Sequence, residues 1–200
     1  MAIYNFPDIR PTSQTFELAT NTKRFQSPLS NSIQTISRKG SHWRTTMTFS
    51  NMMPEDRAVL MAFISKLDGQ THRMRISDYG AIRYGNAVSP ETPLVQGSDQ
   101  TGSTLTVDGV TAAVSNYFAA GDYISFNNEL HVVTADASSN VSGEVEVSIA
   151  PPIRKSPANN AAVEYAAPFG VFMMANNPKW TTESPFNSTI IIEAIEDVLA

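Results

Sequence analysis

The residues best suited to metal or acid–base chemistry are few in this sequence and widely spaced. Three histidines occur, His42, His72 and His131, and none belongs to an HExxH, HxH or HxxE pair at metal-ligand spacing. Cysteine is absent, which excludes disulfides, cysteine-ligated zinc, iron–sulfur clusters and thiol catalysis. We therefore predict no metal site and no cofactor.

Sequence motifs for catalysis or phosphate binding are also missing. The ten glycines form neither GxGxxG nor GxxxxGK[ST], and no GxSxG elbow occurs. Asp99 and Asp108 lie in turn-like surroundings without the alternating carboxylates of a calcium loop. A carboxylate pair for glycoside hydrolysis stays open, because such pairs meet only in the folded chain. The sequence favours a protein that is not an enzyme and has no catalytic residues.

Charge is scarce and unevenly distributed along the 200 residues. Charged residues make up 16%, against about 25% in ordinary soluble domains, and interface centres are depleted in charge. Residues 1–83 hold 11 basic and 6 acidic residues, a net of +5, whereas residues 84–200 hold 3 and 13, a net of -10. Two differently solvated surfaces would explain this split, and so would a basic face that meets an acidic face of a neighbouring subunit. Sequence-specific nucleic-acid binding is disfavoured, since no Lys/Arg cluster is interleaved with aromatics.

One segment has the pattern of a helix, at about 54–67. Pro54 suits the first helical position, and Glu55 and Asp56 follow in the first turn, where they favour the helix dipole. Apolar side chains recur at helical spacing, and Gly69 is suited to the stop. We expect this stripe to lie across a sheet: Val59, Leu60, Phe63, Leu67.

Most other segments alternate with a period of two, which is typical of half-buried strands. The pattern predicts strands near 15–20, 44–50, 72–77, 105–107, 123–126, 130–134, 144–149, 163–166, 169–175 and 189–195. In the third of these, Met74 and Ile76 should face inward, with Arg73 and Arg75 outward. The two tryptophans, Trp43 and Trp180, are expected to be mostly buried and, with Phe63, to act as structural anchors.

Two Gly/Pro-rich stretches, 85–103 and 150–160, divide the chain. We predict a mainly β fold, a β-sandwich or barrel with one amphipathic helix, plus an inserted small β-barrel. The parent domain would comprise 1–92 and 163–200, and the OB-like insert 93–162. A single continuous β-sandwich is the alternative.

Neither a membrane span nor an export signal is predicted. The longest helix-compatible apolar run, 58–64, is far shorter than the roughly 20 residues that a bilayer requires. The first residues lack the charged-then-apolar order of a signal peptide. We expect synthesis and retention in a cytoplasm.

Two stretches of the chain together resemble a known family. The first begins at Arg38 and reads G-x-x-W-x-x-x-M-x-F from Gly40 to Phe49, then the helix, then Leu-Asp-Gly-Gln, then a Met/Ile strand that ends in Asp78. The second is the 127–137 hairpin with His131, the valine-alternating strand 143–149, and Pro-Pro-Ile-Arg-Lys at 151–155. Over most of 38–165 this resembles the distal-tail and minor-tail proteins of long, non-contractile tailed phages.

The resemblance implies a structural role in the virion, at the tail tip, after assembly in the host cytoplasm. Its partners would be copies of itself in a ring, sixfold by the family pattern, together with the tail tube protein and the tip or hub proteins. We expect Arg73, Arg75 and Arg83 to contribute to the subunit contact. The alternative is a carbohydrate- or receptor-binding β-module, which would need exposed aromatics, and Tyr117, Phe118 and Tyr123 are the candidates.

Overall fold

The computed structural model describes residues 1–38, 40–184 and 187–199, and in this part the chain forms fourteen strands and one α-helix. In chain order the elements are β1 (Ile3–Asn5), β2 (Ser13–Ala19), β3 (Thr22–Gln26), β4 (Ile33–Ser37), β5 (His42–Phe49), α1 (Pro54–Leu67), β6 (Arg73–Ile76), β7 (Leu94–Val95), β8 (Gly102–Asp108), β9 (Tyr123–Phe126), β10 (Glu129–Val133), β11 (Val145–Ile153), β12 (Gly170–Met174), β13 (Trp180–Ser184) and β14 (Asn187–Glu196). The predicted mainly β fold with one helix is confirmed, and two of its sheets curl into half-barrels.

The larger sheet has seven strands, four from the N-terminal part of the chain and three from the C-terminal part. Its order is β1-β6-β12-β14-β5-β2, and β13 pairs with the first half of β14. Of the strand pairs in the described part of this sheet, only β1–β6 is parallel. The inward residues of β5 and β14 are buried as the alternation predicts, among them Met47, Phe49, Ile190 and Ile192.

Helix α1 covers the inner side of this sheet. It begins at Pro54 and ends at Leu67, as predicted, and Asp68 closes it in the left-handed conformation with φ 48°. Its buried stripe is Leu60, Phe63, Ile64 and Leu67. Val59 was predicted to belong to this stripe, which is wrong: it is 52% exposed, because the stripe at positions i, i+3, i+4 and i+7 starts one residue later.

The smaller sheet has five strands in the order β7-β8-β11-β10-β9, all antiparallel. Asn127 and Asn128 form the hairpin turn between β9 and β10, and both residues have positive φ, 50° and 65°. Paired positive φ values are those of a two-residue hairpin whose twist matches its strands. β11 continues to Ile153, four residues into the Pro-rich stretch 150–160, with a shift of register after Ser148.

Two hydrophobic cores lie beneath the two large sheets. Ala87, Val163 and Tyr165 pack in the core of the five-stranded sheet, although the predicted boundaries assign them to the parent domain. The packed unit around the smaller sheet is therefore wider than 93–162 by a few residues on each side. Its independence as a domain stays a prediction.

Strands β3 and β4 form a separate two-stranded sheet between β2 and β5. All ten of their residues are exposed, and the connecting turn spans 27–32. We call this ribbon, residues 22–37, the arm.

Among the described residues, no helix has the length and apolar character to cross a bilayer.

Candidate functional site

Arg73 lies on the outward side of β6, opposite the buried Met74, but its charge is used within the subunit. Its Nε is 2.5 Å from Oδ2 of Asp197, and both side chains are only 14% exposed. Burial alone would raise the pKa of Asp197, yet the hydrogen bond and positive charge of Arg73, with the main-chain N–H of Leu199, lower it overall. This arginine fastens the segment after β14 to β6.

The other two predicted interface arginines differ in accessibility. Arg75 donates to Oδ1 of Asn5 at 3.0 Å, and its guanidinium lies 4.7 Å from the ring centre of Phe169. Arg83 is exposed, with its guanidinium 5.2 Å from the ring centre of Tyr165. Of the three, Arg83 is therefore the best placed to meet another molecule. A subunit contact through these residues stays a prediction.

The three predicted anchors have different surroundings. Trp43 is buried, and its Nε1 donates to the carbonyl of Leu130 at 2.8 Å, which ties β5 to β10. Phe63 is buried against Phe6, with ring centres 5.2 Å apart. Trp180 was expected to be mostly buried, and this is wrong: it is 46% exposed. It begins β13, which among the described strands pairs with β14 alone.

A buried polar cluster joins the two large sheets. Its members are Glu129, His131, Arg154 and Glu196. Nη2 of Arg154 lies 2.8 Å from Oε1 of Glu196, and Nε of Arg154 lies 3.5 Å from Oε2 of Glu129. These are ion pairs by distance, although the guanidinium N–H groups are not aligned for hydrogen bonds. One arginine from the smaller sheet thus stands between a carboxylate of its own sheet and a carboxylate of the larger sheet.

Main-chain N–H groups complete the coordination of both carboxylates in this cluster. Glu196 accepts from the N–H of Trp43 at 3.0 Å and from that of Leu130 at 3.4 Å. Glu129 accepts from the N–H groups of Arg154 and Lys155, each at 3.1 Å. A buried carboxylate is tolerated only with such partners. The cluster is therefore a structural joint built from groups of both sheets.

His131 is the fourth member of the joint, and it contributes to the lowered pKa of Glu129. Its ring stacks on Phe126 with centres 4.6 Å apart, and its Nδ1 donates to the carbonyl of Pro151 at 2.8 Å. Its Nε2 lies 3.5 Å from Oε2 of Glu129. Burial alone would raise the pKa of Glu129, but His131 and both the N–H and the guanidinium of Arg154 together lower it.

The other two histidines have local roles that do not converge with His131. His42 donates from Nδ1 to the carbonyl of Gly40 and accepts from Nε of Arg44. His72 accepts from the N–H of Ala2. Within 1–38, 40–184 and 187–199, no group of three acidic, histidine or cysteine side chains could hold a metal ion.

Two of the three aromatics required by the carbohydrate-binding alternative are buried, and the third is partly buried. Tyr117 and Phe118 are fully buried in the core of the five-stranded sheet. Tyr123 packs between Trp43 and Phe16, with ring centres 5.6 and 6.2 Å away, and burial together with nearby Asp78 raises its pKa to about 12. These three rings form no platform on which a sugar could stack.

Four exposed large apolar residues lie close together in the arm. Leu29, at the tip, is 98% exposed, and roughly half of each other large apolar side chain is exposed: Phe25, Ile33, Ile36. The segment 20–41 also holds four basic residues and no acidic one: Lys23, Arg24, Arg38, Lys39. Our sequence interpretation missed the arm because β3 and β4 lack the period-two apolar alternation of half-buried strands: Ile33 and Ile36 are three positions apart.

The joint was also missed, for a different reason. Its four side chains come from β10, β14 and the residue after β11, which are up to 67 positions apart in the sequence, and no local pattern links them.

No protein-family model matches the chain, and no curated protein matches it either.

Proposed function

We propose that this protein is a structural component of the tail tip of a long, non-contractile tailed phage. In this proposal it forms a ring, sixfold in number, that joins the tail tube to the tip or hub proteins. The resemblance of residues 38–165 to distal-tail and minor-tail proteins supports it, as do the low charge content and the opposite net charges of the two parts of the chain.

The observation that best supports an assembly role is the exposure of the arm. An isolated two-stranded hairpin is marginally stable in water, and this one contributes no residue to either hydrophobic core. An apolar, cationic ribbon without a cover within its own subunit is expected to be covered by another protein when the molecule works. A ring subunit meets that need at every contact.

The proposal is tested by the mass and shape of the purified protein. We expect particles with about six times the 21.8 kDa subunit mass, and rings in negative-stain images. The same polypeptide should be found in purified virions, at the end of the tail, by antibody labelling. A protein that stays monomeric at all concentrations and is absent from virions would contradict the proposal.

A further inference from the structure

A second surface of the chain is polar and acidic, whereas the arm is apolar and cationic. On β8 and β11, alternate residues are buried in the smaller core, for example Val107 and Val147. Within 104–108 and 144–148, the intervening residues therefore point away from that core, and they are threonines, a serine and carboxylates. We call this surface the acidic face: Thr104, Thr106, Asp108, Glu144, Glu146, Ser148.

No positive charge balances these carboxylates within β8 and β11. Neither strand contains lysine or arginine, and β11 pairs with β8 so that Glu146 lies opposite Thr106. Glu146 is exposed and Asp108 is partly exposed. The arm has the complementary character, because it contains cations but no acids.

Each side of the arm presents both a cation and an apolar side chain. In the register of β3 and β4, Lys23 lies opposite Ile36 and Phe25 opposite Gln34, so one side presents a cation and two apolar groups. Arg24 and Ile33 lie on the other side. Because directly opposed residues share a side, neither side is purely polar. Such a ribbon can lie on a threonine-rich, acidic surface with charge contacts around apolar ones.

We propose that the arm of one subunit packs on the acidic face of a neighbouring copy of this chain. This inference rests on the proposed ring and names the contact that holds it together. The arm and the acidic face are different surfaces, so the contact is heterologous, and repetition of a heterologous contact closes a ring when the rotation permits. Opposite charges on the two surfaces also fix which side of one subunit meets which side of the next.

Reciprocal charge reversal tests the pairing of the two surfaces. Lys23→Glu with Arg24→Glu changes the arm, and Asp108→Lys with Glu146→Lys changes the acidic face. We expect each pair alone to weaken self-association on the order of tenfold or more, measured by sedimentation or mass photometry, since like charges then meet. All four changes in one chain should restore it. The matched control reverses two exposed cations outside the arm, Lys155→Glu with Lys179→Glu, and should associate as the unchanged protein does.

A cross-link from the arm locates its partner directly. Because the chain has no cysteine, Leu29→Cys provides a single attachment point for a benzophenone maleimide. In a mixture of isotope-labelled and unlabelled subunits, we expect adducts between copies on peptides that contain 102–108 or 144–148. Ile82→Cys, at an exposed loop position outside the arm, is the control and should not label these peptides.

The outcomes separate this inference from the proposed function. If rings form but the arm variants assemble normally, or the fourfold variant is not restored, the pairing of these surfaces is wrong and the proposed function stands. Adducts confined to other regions of the neighbouring copy would also overturn it. If the unchanged protein neither assembles nor enters virions, the proposed function fails and this inference with it.

Discussion

Arg154 and Glu196 form an ion pair across the two large sheets, with Nη2 and Oε1 2.8 Å apart. Arg154 directly follows β11, and Glu196 ends β14. Both side chains are largely withdrawn from water, at 12% and 1% exposure. Because both charged groups are shielded from water, their attraction helps to fix the position of one sheet relative to the other.

Removing this guanidinium should destabilise the protein strongly. Arg154→Ala leaves Glu129 and Glu196 buried without their shared cation, and breaking a buried ion pair costs about 3–5 kcal/mol. Urea denaturation measures the change in the free energy of unfolding. Lys155→Ala removes the neighbouring, exposed cation and should cost less than about 0.5 kcal/mol. Equal midpoints for the two variants would show that the joint contributes little.

The joint should also make stability fall in acid. The folded-state pKa of Glu129 lies below its ordinary value of 4.5, so its contribution to stability is complete above that value. It is lost as the pH decreases below 4.5 through the lowered folded-state value, because folding then has to release a bound proton. We expect Glu129→Gln to be less stable than the unchanged protein at pH 7, with the difference shrinking toward pH 3. Glu146→Gln, on the exposed side of β11, should show no such convergence in the same urea series.

Charge reversal at Arg73 should lower the stability of the fold as well as weaken the predicted subunit contact. The sequence indicated that Arg73 faces outward toward a subunit contact, but its partner Asp197 is in the same chain. Arg73→Glu should lower the free energy of unfolding by roughly 1 kcal/mol, from the lost pair and the new repulsion. Arg73→Asp combined with Asp197→Arg should recover most of that loss in thermal melts. Full stability of the single variant would mean that the pair is merely solvated.

Arg83 allows a cleaner test of the predicted arginine contact. It is exposed, and its described contact is with the ring of Tyr165. If it contributes to assembly, Arg83→Glu should weaken self-association while the melting temperature stays within a few degrees of the original. Arg83→Lys keeps the charge and should associate normally. Unchanged association of Arg83→Glu at low salt would remove this residue from the interface.

Position 85 requires glycine, because neighbouring atoms leave no room for a Cβ. A Cβ at this position would lie 2.5 Å from Oδ2 of Asp122 and 2.6 Å from the carbonyl of Tyr117. Asp122 is buried and accepts from the N–H groups of Tyr84, Gly85 and Ala119. Gly85→Ala should therefore cost about 1–3 kcal/mol in urea denaturation.

Gly80 serves as the matched control for this substitution. There the nearest atom to a new Cβ is a side-chain oxygen of Asp78 at 3.4 Å, which is ordinary contact. Gly80→Ala should change the stability by less than about 0.5 kcal/mol. A comparable loss in both variants would show that the close contacts around Gly85 do not set the cost.

Local patterns predicted the elements of this fold better than their surroundings. Helix α1 was found with its ends because Pro54 and the acidic first turn mark its start, and strand alternation placed Met74 and Ile76 inward. The exposure of Trp180 depends on which strand lies beside β13, which alternation does not encode. The joint depends on contacts between distant positions, such as Trp43 with Glu196, and these are set by the tertiary structure alone.

The central position of β14 has a consequence for the order of events during synthesis. β14 pairs with β5, β12 and β13, and each of these precedes it in the chain. The strands of the five-stranded sheet, by contrast, have all emerged by Ile153. On the ribosome the smaller sheet can thus pair while β5 still lacks its neighbour, and the larger sheet closes late around an existing unit. Glu196 arrives at the end of that last strand, so the ion pair with Arg154 forms only once both halves are in place.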